Sequence, residues 1–454
     1  MKTFLGSLVA ILLILSASVQ VSAQTEASSQ ELATGIAFVQ TAKQSLGGYS
    51  FSIPGQIAQP PRMALDGDIL AIGFPGQAGA GGVYSSGVVI IFERNQGSPG
   101  NWGLSKVIPN PNNVASDEFG DAVALQGTTL VVGMPGYDLD DTDVGAVYIY
   151  ERNQGGDGNW GLAQMIEEDG SGYDWALKLG YSLSLDGDRL AVSAPYRPLH
   201  ACPGRVYLYE RDPGGDGTWE FAEMIADESG SSVFGFGINI ALDDDILAVG
   251  APRVTSSRGA VRIFQRGLVT PESWDYLTTV TGDDNWSGYF GTQLALDGDI
   301  LSVGAPGFHQ RLDDGSLYHG GSAFVFERDQ GGADQWGLVS RFTDEAREYN
   351  DVFFGYALGV QGDVLLVGEP LKDITTNEVE QENQGAVFLY ERDTGGANQW
   401  GQGAMLLNGD GDAADYFGVA LAYDEDTLAV IGQQSVYIYE KRVVYRIYVP
   451  IVKR

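Results

Sequence analysis

The sequence predicts an all-β chain, a seven-bladed β-propeller of four-stranded antiparallel blades, on three observations. A segment of about 60 residues recurs seven times, each full copy holds four short β-prone runs parted by Gly, Pro and Asp turns, and no stretch sustains a helical period. Composition agrees: 63 of 454 residues are glycine, aromatics reach 11% and charged residues only 19%, a balance of strands and tight turns rather than charged helices. One such sheet cannot bury both faces alone. Seven stacked around an axis give each face a neighbour, and closing the ring removes most exposed edges. An open solenoid is the structural rival, disfavoured by the antiparallel pattern and the missing polar end units.

At the N-terminus, Lys2 precedes an apolar run from Leu5 to Leu15, and Val21-Ser22-Ala23 supplies small residues before a cleavage point. That is the layout of a secretory signal peptide over residues 1–23, with an apolar core too short for the ~20 residues a membrane span needs. The expectation is therefore a secreted or cell-surface protein whose mature chain starts at Gln24 and carries no transmembrane segment. Exported chains commonly use paired cysteines, but only Cys202 is present, so no intrachain disulfide forms and packing must supply stability. Cys202 reads as a loop residue rather than a catalytic thiol, since His200 is the only histidine near it.

Residues 24–58 form an N-terminal segment, residues 59–442 the seven repeats and residues 443–454 a C-terminal tail. Each repeat opens with strand A, a tight turn and an apolar strand B, as in Met63 to Pro75 of the first copy and Ile240 to Pro252 of the fourth. The residue before the turn is Leu65, Leu125, Leu185, Leu242, Leu296, Val360 and Tyr423, giving spacings of 60, 60, 57, 54, 64 and 63. After a variable loop comes strand C, as in Gly145 to Arg152 and Gly385 to Arg392, with an aromatic before its charged pair at Phe92, Tyr150, Tyr209, Phe264, Phe326, Tyr390 and Tyr439. One large apolar side chain per unit in one packing layer explains that recurrence. Strand D opens with tryptophan at Trp102, Trp160, Trp219, Trp274, Trp336 and Trp400. The seventh copy ends at its third strand, so another segment must complete it. Counting back from Leu65 points to Ile36 to Leu46 as that strand, with the tail from Val443 to Val449 as the competing donor.

Phe-Gly entering strand A and Gly-Ala-Pro leaving strand B resemble FG-GAP repeats, the blades of integrin α-subunit propellers. Phe119-Gly120, Phe236-Gly237, Phe290-Gly291, Phe354-Gly355 and Phe417-Gly418 carry the first half, and Gly250-Ala251-Pro252 and Gly304-Ala305-Pro306 the second in full. Gly73-Phe74-Pro75, Gly133-Met134-Pro135, Ser193-Ala194-Pro195 and Gly368-Glu369-Pro370 are near matches. The resemblance covers roughly residues 60 to 440 and implies an extracellular adhesion-type or binding role. Calcium-binding members carry a long acidic insertion between the first two strands, but here only a turn stands there, as in Leu185 to Leu190 and Leu296 to Leu301. Turn chemistry accounts for those aspartates, with Asp-Gly placed where a hairpin wants positive φ. No cofactor is required on this reading. Calcium stays an open alternative at two other acidic loops, Asp138, Asp140 and Asp143 in one and Asp410, Asp412 and Asp415 in the other, although neither has EF-hand spacing.

Antiparallel connections alternate between the two ends of a blade, so A–B turns and C–D hairpins share one face while B–C and D–A loops share the other. The first set is uniform and the second varies in length and chemistry, which is how recognition surfaces are built on rigid frames. Candidate ligand-binding residues on the variable-loop face are Trp175, Trp286, Arg197, His309, Arg311, Tyr318 and His319. The two tryptophans fall outside the repeated tryptophan position, and exposed aromatics beside polar groups suit a protein or carbohydrate partner. Glu-Arg pairs at the ends of strand C, such as Glu327-Arg328, read as structural ion pairs on the uniform face. A net charge of −34 disfavours nucleic acid and anionic membrane surfaces. No Gly-x-Ser-x-Gly, His-Glu-x-x-His or phosphate-cradling loop is present, and there are three histidines, so an enzyme is not expected. A structural scaffold or surface-layer component is the alternative from another class, with a propeller hydrolase or lyase behind it.

Overall fold

The computed structural model describes residues 33–49, 60–139, 142–167, 178–195, 204–212, 217–227, 235–282, 288–307, 309–311, 317–344, 353–376, 379–409 and 413–446. Residues 36–443 form one compact unit. It holds seven four-stranded antiparallel sheets in a seven-bladed propeller, as the repeats predict. In blade 1 the strands A to D are Arg62–Asp66, Ile69–Phe74, Val88–Arg94 and Trp102–Pro109, adjacent in space in chain order. The seven A strands are Arg62–Asp66, Ala122–Gln126, Leu183–Asp186, Ile240–Asp243, Gln293–Asp297, Ala357–Gln361 and Leu421–Asp424. Each packs beside the A strands before and after it, and the last meets the first, so together they form the inner ring. Among the described residues the one α-helix is a single turn, Val254–Ser257.

Strand B shows how the core is made. Its second residue is leucine in all seven blades, Leu70, Leu130, Leu190, Leu247, Leu301, Leu365 and Leu428, and each has 0% exposure. The strand is buried along its length without alternation because A and C flank it and another blade covers each face. Every hydrophobic cluster accordingly draws on two consecutive blades. Ala71, Val89 and Ile91 of blade 1, for example, pack with Phe119, Leu130, Val132 and Tyr148 of blade 2.

The Phe-Gly and Gly-x-Pro motifs meet at these seams. Within blade 2 the Gly120 amide donates to the Gly133 carbonyl at 2.9 Å, and the same bond recurs from Gly291 to Gly304 at 3.1 Å and from Gly355 to Gly368 at 3.2 Å. Between blades, the carbonyl of Gly120 presses on Gly73, that of Gly180 on Gly133, and that of Gly291 on Gly250, so closely that a Cβ would collide with backbone. Here glycine is required by close approach rather than by an unusual φ. A third glycine opens strand C and bridges the next blade's phenylalanine, as in Gly87 with Phe119 and Gly259 with Phe290. The buried phenylalanines then meet aromatic residues of strand C edge-on, as Phe290 meets Phe324 at 5.1 Å and Phe417 meets Tyr437 at 5.4 Å.

Blade 7 is completed by the N-terminal strand Ala33–Ser45, which pairs with the continuous strand Ser435–Arg446. The tail therefore extends the third strand through Arg446 instead of folding back as a fourth. Thr41 Oγ1 donates to the Ile438 carbonyl at 3.4 Å, the Leu46 amide to Gln434 at 3.0 Å, and Phe38 meets Tyr423 edge-on at 5.7 Å. This closing seam lacks both glycine motifs. Ile431 stands at the Gly-x-Pro glycine position of blade 7, Pro60 stands at the Phe-Gly glycine position of blade 1, and Leu46 and Tyr49 fill the seam with Ile72 and Phe74.

In blades 1 to 6 the C–D pairing slips by one residue immediately before the repeated aromatic, as between Ile91 and Phe92 or Leu389 and Tyr390. A bulge in each of these six outer strands breaks the edge that other chains could extend.

Candidate functional site

On the uniform face the polar side chains are consumed by blade-to-blade bonds. Asp66 pairs with Ile69, so the A–B loop is Gly67-Asp68 and only Gly67 is left-handed, with φ 53°. The expectation that the aspartate before this glycine sits in the turn is corrected: it is the last strand residue. Its carboxylate accepts the turn amide of the next blade. Asp186 takes Asp244 N at 2.9 Å, Asp297 takes Gly362 N at 2.6 Å, Asp424 takes Gly67 N at 2.7 Å, and Asp66 and Asp243 hold Gly127 and Gly298 in the same way.

The Glu-Arg pairs also work between blades. Arg152 reaches Glu93 at 2.9 Å, Arg211 reaches Glu151 at 2.9 Å, Arg266 reaches Glu210 at 2.7 Å and Arg392 reaches Glu327 at 3.1 Å. In blade 4 Gln265 replaces the glutamate, and Arg328 turns to Asp245 at 3.3 Å. Several of these guanidinium groups lie over the tryptophan of their own blade, Arg94 on Trp102 at 5.2 Å and Arg392 on Trp400 at 5.3 Å. The repeated tryptophan is thus both core and platform for the ladder.

The variable-loop face is partly ribbon. Residues Asp138–Leu139 pair with Thr142–Asp143, His309–Arg311 with Leu317–His319, and Ile374–Thr376 with Val379–Gln381, so three B–C connections contain hairpins where the sequence suggests irregular loops. His309 stands opposite His319, and Gln310 opposite Tyr318. The side chains of His309, Arg311, Tyr318 and His319 lie outside the described set, as do Trp175, Trp286, Arg197, Cys202, Asp140, Asp410, Asp412 and the signal-peptide region. Among the described residues no group of three or more His, Cys, Asp or Glu is placed to hold a metal. Asp138 and Asp143 face each other across their ribbon. The Asp415 carboxylate accepts from Asn408 Nδ2 and from Gln433 N at 3.1 Å, which ties the loop entering blade 7 to that blade's B–C turn.

At the centre of this face the inner ring opens into a funnel of about 770 Å³ that continues into a neck of about 200 Å³ between the A strands. The residue following each Phe-Gly position lines it: Pro61, Asp121, Tyr181, Ile238, Thr292, Tyr356 and Val419. Arg62, Asn239 and Gln293 add the next position. Motif comparison overlooks these residues because no one residue type is kept there, tyrosine alone occurring twice among the seven copies. The usable signal was that divergence itself, immediately beside a nearly constant Phe-Gly.

Arg62 is fixed by one bond, Nε donating to the Asp121 carbonyl at 3.1 Å. Its two terminal nitrogens, the Tyr181 and Tyr356 hydroxyls and the Asn239 and Gln293 amides have no hydrogen-bond partner among the described residues. Burial pushes the Asp121 carboxyl up to about 6; Arg62 and Lys178 oppose that rise and Glu118 adds to it. Burial also raises Tyr181 and Tyr356, which stay protonated donors at neutral pH. Lys178 bonds Glu118 at 3.3 Å on the rim, and Arg253 joins it there. Three cations against two carboxyl groups make this opening locally positive in a chain of net charge −34.

Seven closed blades and a funnel at one end define a β-propeller with an axial site. The family model described as FG-GAP repeat matches residues 102–150 and 400–440. Together with the seven-bladed fold, those matches support an FG-GAP repeat β-propeller. No curated protein matches the sequence. Among solved structures, the crystal structure of Sqt1 from Chaetomium thermophilum is similar over 84% of this chain and 96% of its own, with TM-score 0.48 and 12% identity. No helix among the described residues is long and apolar enough to cross a membrane.

Proposed function

We propose that this propeller is an exported, non-catalytic binding module that recognises an extracellular protein or carbohydrate through its variable-loop face. The observation that carries the reading is the contrast between the two faces. Turn carboxylates and strand-end arginines on the uniform face are spent on neighbouring blades, whereas the axial funnel presents unpartnered donors and acceptors. Solvent-accessible polar groups converging in a concave opening, with no partner from the chain, are held by water until a ligand replaces it, which is the usual make-up of a binding pocket. Export rests on the N-terminal signal pattern.

One observation favours a second reading. Titratable and donor groups converge on the axis, Arg62, Asp121, Tyr181 and Tyr356, where a propeller hydrolase or lyase would place its machinery. Turnover of a bound ligand would move the protein into that class.

The test is capture on an array of extracellular glycans and matrix proteins. Joint replacement of Trp175, Trp286, Tyr318 and His319 by alanine abolishes capture and leaves the unfolding midpoint unchanged. Replacement of the exposed Leu268 and Val269 on the opposite face leaves capture intact. The reverse pattern overturns the assignment of the face.

A further inference from the structure

The funnel's chemistry narrows the ligand, an inference that rests on the variable-loop face being the binding face. We propose that the axial funnel binds a carboxylated sugar, with the Arg62 guanidinium pairing the carboxylate and Tyr181, Asn239, Gln293 and Tyr356 bonding the hydroxyls.

Arg62 is the anchor for two reasons. The Nε bond to the Asp121 carbonyl fixes the plane of the guanidinium, and both terminal nitrogens are left as a fork that matches the two oxygens of one carboxylate. Lys178 and Arg253 on the rim add positive potential, so an anion is drawn in despite the acidic body. A simple anion would use only that end of the funnel. The four neutral groups come from blades 3 to 6, spread around the ring from Arg62 in blade 1. Hydroxyls, which both donate and accept, suit two amides and two phenols arranged this way. An aspartate or glutamate side chain of a protein partner would satisfy Arg62 and leave those four groups unpaired. Phe353 and Tyr356, edge-on at 5.9 Å, supply an aromatic wall at the mouth for a sugar face.

Asp121 makes the site pH-dependent. The groups around its carboxyl are Arg62, Glu118, Lys178, Tyr181 and Tyr356. Its carboxyl is ionised above about 6 and neutral below, so a ligand carboxylate meets less repulsion as pH falls through that value.

The experiment is calorimetric titration of the full mature chain with glucuronate, glucose and a short Asp/Glu-rich peptide. Glucuronate is expected to bind on the order of tenfold or more tighter than glucose, the increment of a charge-assisted bidentate contact. Its affinity rises between about pH 7.5 and pH 5, across the Asp121 titration. Arg62→Gln loses that preference at an unchanged unfolding midpoint, and Tyr356→Phe, which removes only a hydroxyl, weakens both sugars. Equal affinity for glucose and glucuronate, an unaffected Arg62→Gln, or binding of the peptide alone overturns the proposal. Failure here with a partner still mapped to the variable-loop face would remove the sugar assignment and leave the binding face standing.

Discussion

Alanine in place of Gly133 is expected to lower the stability of the propeller by about 3 kcal/mol or more, at the top of the range for overpacking, because backbone rather than a side chain must yield. The new Cβ would collide with the Gly180 carbonyl of the next blade, and Gly133 itself accepts from Gly120 N at 2.9 Å, so neither strand can retreat without opening a seam. Gly67→Ala is the calibration. Its Cβ meets nothing within 4 Å, so only the left-handed backbone at φ 53° is penalised, about 1–2 kcal/mol. Blade 3 shows what a tailored seam needs: Ser193 occupies the glycine position there and its hydroxyl accepts from Ser182 N at 2.9 Å. Denaturant titration of the two variants decides the matter, and equal midpoints would contradict the seam account.

Deleting Ala33 to Leu46 is the second large effect. Phe38 and Leu46 are buried at 9% and 1% exposure, and with half-buried Ile36 and Ala42 their loss is worth on the order of 5 kcal/mol of apolar burial. The edge of Ser435–Arg446 is also bared, and it would pair with other chains. The expected result is a lower unfolding midpoint with self-association, both reversed by adding a peptide of residues 33–49 in trans. A shortened chain that unfolds like the whole one would show that the ring does not depend on this strand.

Much of this architecture was readable from one chain because a propeller writes the same physical demands seven times. Leucine at the second place of strand B, glycine at most of the seams and tryptophan beneath several strand-end arginines recur because successive blades meet through similar contacts. The ending of the seventh copy at strand C pointed to a donor strand. The axial site was not readable, for the complementary reason. Pro61, Asp121, Tyr181, Ile238, Thr292, Tyr356 and Val419 occupy one repeat position with no common residue type, so repeat comparison treats them as variation within a strand. The sequence signal for binding lies instead in the longest loops, where Trp175 and Trp286 stand outside the repeated pattern. The turn aspartates were read as local turn formers, whereas their carboxylates bond across blades, a contact that spacing within one unit does not reveal.

The measurement that bears most directly on the binding face is hydrogen exchange of the mature chain with and without a partner captured from the array. The account predicts protection at the entrances of the A strands, around Arg62, Asp121, Tyr181, Asn239, Gln293 and Tyr356, and in the neighbouring ribbons 309–311 and 317–319. Protection confined to the opposite face, at the Gly67, Gly187 and Gly298 turns and the hairpin carrying Leu268 and Val269, would contradict it.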